Sequence, residues 1–229
     1  MILRIADLNV IVPEAGGMAP RCQGYMADEK ATPDIHIRED MYKLERWDGL
    51  PYEAACYMES GYHFYARLLA FDGVMIHASA LSCDGKAYLF SGPSTVGKST
   101  HTRLWQQTFG DAVQVFNDDK PAVRLVDGTW YAYGTPWCGK DGINLNQKVP
   151  LGGLCFLKQG MENRIRRLSA AEAFAMCMAQ TQRFWKPENV EKQLQLMDKL
   201  VRQIPVWELE NMPGREAARL SHDTMIQPR

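Results

Sequence analysis

Eight consecutive residues, Gly92-Pro93-Ser94-Thr95-Val96-Gly97-Lys98-Ser99, constrain this chain more than any other stretch. They fit the Walker A pattern: Gly, four residues, then Gly-Lys-Ser/Thr. Such a loop works only between a strand and a helix. Backbone N–H groups then converge on an anion, and the helix dipole adds partial positive charge. The flanks meet that demand. Lys86 to Ser91 reads as a buried strand, and Thr100 to Trp105 reads as the first turns of a helix that runs to about Phe109, with Gly110 as its cap. Gly92, Pro93, Ser94, Thr95, Val96, Gly97, Lys98, Ser99 and Thr100 are therefore the candidate nucleotide-binding residues. In that role Lys98 supplies a full charge to the β- and γ-phosphates, and Ser99 a hydroxyl to Mg²⁺. The motif does not say whether the nucleotide is hydrolysed, transferred or only sensed.

The rest of the chain supplies a mixed α/β pattern. Leu3 to Val12 alternates weakly and reads as one strand ended by Pro13 and Gly16-Gly17; Arg21 to Met26 is ambiguous; Asp34 to Arg38 reads as a second strand. This opening is too short and polar for a core of its own, which predicts a small β-rich lobe. With the helix over Pro51–Leu69 it makes a first unit, residues 1–70; residues 71–229 form the loop-bearing domain. Within the latter, Val74 to Leu81 reads as a strand, and Asp84-Gly85 and Asp127-Gly128 as hairpin turns. Asp111 to Phe116 is a strand running into Asn117-Asp118-Asp119. Gly134 to Val149 is a long loop, and such loops in compact domains are often functional. Leu151–Leu157, Arg164–Leu168 and Val206–Leu209 are further strands. Ser169 with Glu172 makes a capping box, and helices follow over Val190–Ile204 and Glu216–Met225.

Bulk properties exclude several functions. The formal net charge is -1, which gives no reason to expect nucleic acid or an anionic membrane as partner. No apolar run is long enough to span a bilayer, and an acid at Asp7 argues against a signal peptide. The six cysteines are far apart with no CxxC pair, so free thiols in a reducing cytoplasm are expected rather than zinc or disulfides.

A phosphate loop needs acids, because Mg²⁺ takes carboxylate oxygen and an acceptor hydroxyl must lose a proton. Asp118 and Asp119 are the first acid pair after the loop and fall where a neighbouring strand would end. One suits the metal and the other the base. Adjacent residues of an extended strand point to opposite faces, so both serve one site only if the chain turns there. His77, one hairpin before the loop, is either part of this site or a satisfied core histidine. His101 follows the loop closely enough to approach the phosphates, Arg103 suits a surface ion pair, and Lys140 in the long loop can reach a phosphate or stand in solvent.

These residues carry a family resemblance. His77, a hairpin, the loop, and a strand ending in Asp118-Asp119 resemble the catalytic domain of HPr kinase/phosphorylase over about residues 71 to 155. The resemblance implies a P-loop core of the HPr kinase/phosphoenolpyruvate carboxykinase type with ATP and Mg²⁺ as cofactors. Asp118 would be the acid/base, and Asp119 with Ser99 would attend the metal. His77 and Lys98 would complete the catalytic set. Gly142-Ile143-Asn144-Leu145 would belong to a mobile loop over the acceptor. The chain departs from that family at Thr100, where the family usually has glutamate, and at Lys140 in place of an arginine. It looks more like shorter bacterial relatives, whose acceptor hydroxyl sits on a protein, a peptide or a small alcohol; a homo-oligomer is also implied. The expected activity is a cytoplasmic ATP/Mg-dependent kinase. The alternatives are a nucleotide-binding regulatory module, an NTPase without an acceptor, and a carboxykinase acting on a small acid.

Overall fold

The computed structural model describes residues 1–14 and 17–226. Its opening strand is not single. β1 (Ile2–Ile5) and β2 (Leu8–Ile11) form a tight antiparallel hairpin whose turn residues, Ala6 and Asp7, both take positive φ. The continuous strand expected over Leu3–Val12 is therefore corrected to a hairpin; of its expected terminators, Gly16 lies outside the described residues. The ambiguous stretch begins within a short helix, α1 (Met18–Cys22). β3 (Ile35–His36) adds to β2 in parallel and completes a three-stranded sheet.

α2 (Tyr52–Leu68) follows Pro51 and buries the face bearing Ala55, Cys56, Phe64, Tyr65 and Leu68. Next come β4 (Gly73–Met75), β5 (Ala78–Cys83), β6 (Lys86–Ser91), α3 (Lys98–Phe109) and β7 (Val113–Asp119). The strand expected over Val74–Leu81 is thus broken at Ile76-His77, and His77 sits in the break. The chain continues with β8 (Ala122–Val126), β9 (Thr129–Tyr133) and β10 (Lys148–Gln159). It ends with β11 (Arg164–Arg167), α4 (Ala170–Ala179), α5 (Pro187–Gln203), β12 (Val206–Asn211) and α6 (Arg215–Met225). The capping box at Ser169 and Glu172 is formed on both sides.

The larger sheet is mixed and has nine strands, in the order β4-β8-β9-β10-β6-β5-β7, with β12 also on β10 and β11 on β12. β10 makes it continuous. Lys148–Pro150 pair antiparallel with β9, while the remainder pairs parallel with β6 and β12. The change of partner occurs at Gly152-Gly153, where the register on β6 shifts. A Cβ on Gly152 would stand 2.9 Å from the Tyr88 ring, and one on Gly153 would overlap the Trp207 indole. Only glycine lets the strand bend this close to two aromatic rings.

β6 is buried on both faces. Ala87 and Leu89 join one core, which reaches α2 and the N-terminal sheet; Tyr88 and Phe90 join a second, beneath Trp105 of α3 and Met225 of α6. That explains an apolar run without polar alternation. Among the described residues no helix is long and apolar enough to cross a membrane. All six cysteines are buried and unbridged.

Candidate functional site

The loop after β6 depends on unusual backbone. Gly92 has φ 144 and Gly97 φ 106, a region that L side chains rarely adopt, and Thr95 sits at φ 68. Gly92 is doubly constrained, since a Cβ would approach Leu157 O at 3.1 Å and Val96 at 3.0 Å. α3 begins directly at Lys98, so its first N–H groups have no intrahelical partner until His101 N–H reaches Gly97 O at 2.9 Å. Lys98 folds over the loop, its Nζ donating to Gly92 O at 3.1 Å and Pro93 O at 3.3 Å. Burial lowers its pKa, and Asp119 and Asp118 oppose that shift. The helix is tied to the neighbouring strand by a 2.8 Å hydrogen bond between Thr102 Oγ1 and Ser79 Oγ.

β7 delivers the two carboxylates. Its pairing with β5 shifts register between Ala80 and Leu81, after which Asn117, Asp118 and Asp119 stand opposite Ala80, Ser79 and Ala78. Asp119 then takes φ 117, so the chain turns at the pair, and both aspartates line the cleft with the loop. Ser99 Oγ donates to Asp118 Oδ1 at 2.9 Å; Asp118 Oδ2 receives no hydrogen bond among the described residues. Asp119 has other partners: His77 Nε2 at 2.9 Å and the Lys120 ammonium. Burial alone would raise the Asp119 pKa. The hydrogen bond from His77 and the charge of Lys120 outweigh burial and hold the carboxyl well below the usual range.

His77 is held from both sides. Its backbone N–H donates to Gln180 O at 2.7 Å, its carbonyl accepts from Ser91 Oγ at 2.7 Å, and its Nδ1 lies 3.2 Å from Gln180 Oε1. The break between β4 and β5 thus carries a histidine whose ring spans from α4's end to Asp119.

The cleft has a volume of about 480 Å³. Of the residues singled out in the sequence, His77, Ser94, Thr95, Gly97, Lys98, Ser99, Thr100, Asp118 and Asp119 border it. Gly92 and Pro93 contribute the carbonyls that hold Lys98, and Val96 packs beneath Gly92. Lys140 also borders the cleft, and Arg103 pairs with Asp141 at its rim. His101 does not join them. It points away from the loop into the core between α3 and α6, beside Phe90 and 3.0 Å from Ser221 Oγ. Helical spacing is the reason: the third residue after Lys98 turns onto the face that α6 covers.

Three contributors escaped the sequence reading. Lys120 and Gln180 hold Asp119 and His77. The third is a platform behind the carboxylates, where Asp119 bridges Cys138, whose N–H and C=O both engage the Tyr57 hydroxyl at 2.7 and 2.8 Å. Arg21 lies over the Tyr57 ring at 4.9 Å. The Gly142–Leu145 segment is hydrogen-bonded along the edge of β7, through Asp118 N to Ile143 O and Leu145 N to Phe116 O. Among the described residues no group of three or more His, Cys, Asp or Glu could hold a metal on protein ligands alone. One hydroxyl and one carboxylate suit Mg²⁺, which keeps waters and takes phosphate oxygen.

No curated protein sequence matches the chain. A solved structure, the Hpr(Ser) kinase/phosphatase from Coxiella burnetii, is distantly similar at 12% identity. It spans 65% of this chain and 86% of its own, with a TM-score of 0.37, too loose a likeness to assign a function. The family model described as SynChlorMet cassette protein ScmC matches residues 53–215, which include the loop, both aspartates, His77 and Gln180. With most of its length matched by that model, the chain belongs to the ScmC family of SynChlorMet cassette proteins.

Proposed function

We propose that this chain is a P-loop phosphotransferase that moves the γ-phosphoryl group of a nucleoside triphosphate, with Mg²⁺, to the hydroxyl of a protein, peptide or small molecule. The supporting observation is convergence: the glycine loop, the uncovered N–H groups of α3, Lys98, Ser99, Asp118, Asp119 and His77 meet at one cleft. The loop and Lys98 bind phosphate oxygens, and Ser99 with Asp119 attends the metal. Mg²⁺ would supply charge neutralisation to the phosphates. Asp118 is the proton acceptor, through the oxygen not engaged by Ser99. Asp119, kept anionic by Lys120, orients His77 against the acceptor side. The resemblance of His77, the loop and the Asp pair to HPr kinase/phosphorylase supports the same reading.

The test is a transfer assay. The protein is incubated with γ-labelled ATP and Mg²⁺, alone and with a lysate of its source, as wild type and Asp118→Asn. Label appearing on a lysate component with wild type and lost with Asp118→Asn is expected. Nucleotide binding without transfer, indifferent to Asp118→Asn, would instead make the chain a regulatory module.

A further inference from the structure

A second cavity, of about 620 Å³, lies between α2 and the first turn of α5 and shares no lining residue with the loop cleft. Its volume falls within the range of small-molecule sites. Four cationic side chains line it, Lys43, Arg46, Arg67 and Lys186, against one carboxylate, Glu188. Arg46 and His63 lie 3.6 and 3.4 Å from the fully buried Glu59. Lys43, Arg67 and Lys186 have no carboxylate within ion-pair distance among the described residues.

Arg67 is the telling residue. Its guanidinium is half-buried, yet its partners are neutral: His63 O at 3.1 Å, His63 Nδ1 at 3.3 Å and Met41 Sδ at 3.1 Å. Burial, and then the charge of Arg38, lower its pKa. His63 adds no compensating anion; it is itself driven toward its neutral form by burial. A guanidinium partly withdrawn from water is well matched by a carboxylate or phosphate. Here that position opens onto the cavity.

Two aromatic side chains, Tyr62 and Trp185, also line the cavity. Arg46 stacks over the Tyr62 ring at 4.8 Å, and Trp185, 77% exposed, stands at the rim. An indole left in solvent beside a cationic hollow offers a flat apolar surface to a ligand.

We infer that this cavity is a binding site for a small aromatic anion, its charged group seated on Arg67, Lys43 and Lys186 and its ring against Trp185. The same chemistry can come from a free aromatic acid or from an aromatic residue beside an acid in a peptide. The site is independent of phosphoryl transfer.

The experiment is ¹⁹F NMR titration of the intact protein with 4-(trifluoromethyl)benzoate, with 4-(trifluoromethyl)benzamide as the uncharged control. A third arm uses a blocked tripeptide bearing 4-trifluoromethylphenylalanine next to aspartate. Saturable binding of an anionic probe is expected, tighter than the amide and weakened about tenfold or more in Arg67→Gln. Trp185→Ala and Lys186→Gln, both at exposed positions, should weaken it as well, which keeps the test sound if Arg67→Gln fails to fold. Tighter binding of benzoate than of tripeptide identifies a free acid; the reverse identifies a peptide-borne anion. Binding of the anionic probes no tighter than the amide, or unchanged in Trp185→Ala and Lys186→Gln, overturns the proposal. Neither result bears on nucleotide binding, since no residue is shared.

Discussion

His101 should make the stability of this protein pH-dependent in a window that its location dictates. The ring is 1% exposed, and burial alone pushes its pKa from 6.5 down to about 4. The hydrogen bonds around it agree with a neutral ring. Ser221 Oγ accepts from Trp105 Nε1 at 2.8 Å and lies within 3.0 Å of Ala217 O and Ala218 O. With the Ser221 proton on one of those carbonyls, His101 Nε2 donates to Ser221 and Nδ1 is the bare nitrogen. His101 Nδ1 is indeed buried without a partner. Between pH 6.5 and about 4 the unfolded chain binds a proton at this histidine that the folded chain does not. Stability therefore rises with pH across that window: the contribution is complete above 6.5 and is lost as pH falls toward 4. At about 1.4 kcal/mol per pH unit, the loss comes to on the order of 3 kcal/mol. In His101→Gln the amide keeps an N–H near Ser221 and cannot take the proton, while every carboxylate titrates as before. Urea unfolding of both proteins at pH 7 and at pH 4 isolates the term. Wild type should lose about 3 kcal/mol more than His101→Gln on acidification. Equal losses in the two proteins would refute the burial argument.

Two further substitutions test the scaffold. Glu59 is fully buried and accepts from Lys43 N at 2.9 Å and Trp47 Nε1 at 2.8 Å, with Arg46 alongside; Glu59→Ala should cost about 3–5 kcal/mol in urea unfolding, since it strands a cation and two donors. A Cβ on Gly134 would overlap the carbonyl of Leu145, the residue whose N–H ties the long loop to β7. Gly134→Ala should destabilise by at least about 1–3 kcal/mol and speed amide exchange at Leu145, whose N–H bonds Phe116 O.

What was legible in the sequence was local. The loop is spelled by its glycines and Lys98, the hairpins by Asp84-Gly85 and Asp127-Gly128, and the start of α4 by Ser169 and Glu172. In each, a residue's own conformational preference decides the structure. The first hairpin was missed because its turn uses Ala6 and Asp7 with no glycine to signal positive φ. The break at Ile76-His77 was missed because an apolar run looks the same whether or not the sheet continues through it. His77's partner Gln180 is 103 residues away, and Tyr57 stands 81 residues from Cys138. Contacts of that range depend on how the sheet closes, and no local pattern carries them. His101 shows the opposite error, since nearness in sequence to the loop did not place it in the cleft.

The claim on which the functional reading rests is that the cleft beside Lys98 holds a triphosphate. Calorimetric titration of the wild-type protein and of Lys98→Ala with Mg-ATP tests it most directly. Saturable binding by wild type, weakened about tenfold or more in Lys98→Ala, is the expected result. No binding by wild type, or binding undiminished without the Lys98 ammonium, would contradict it.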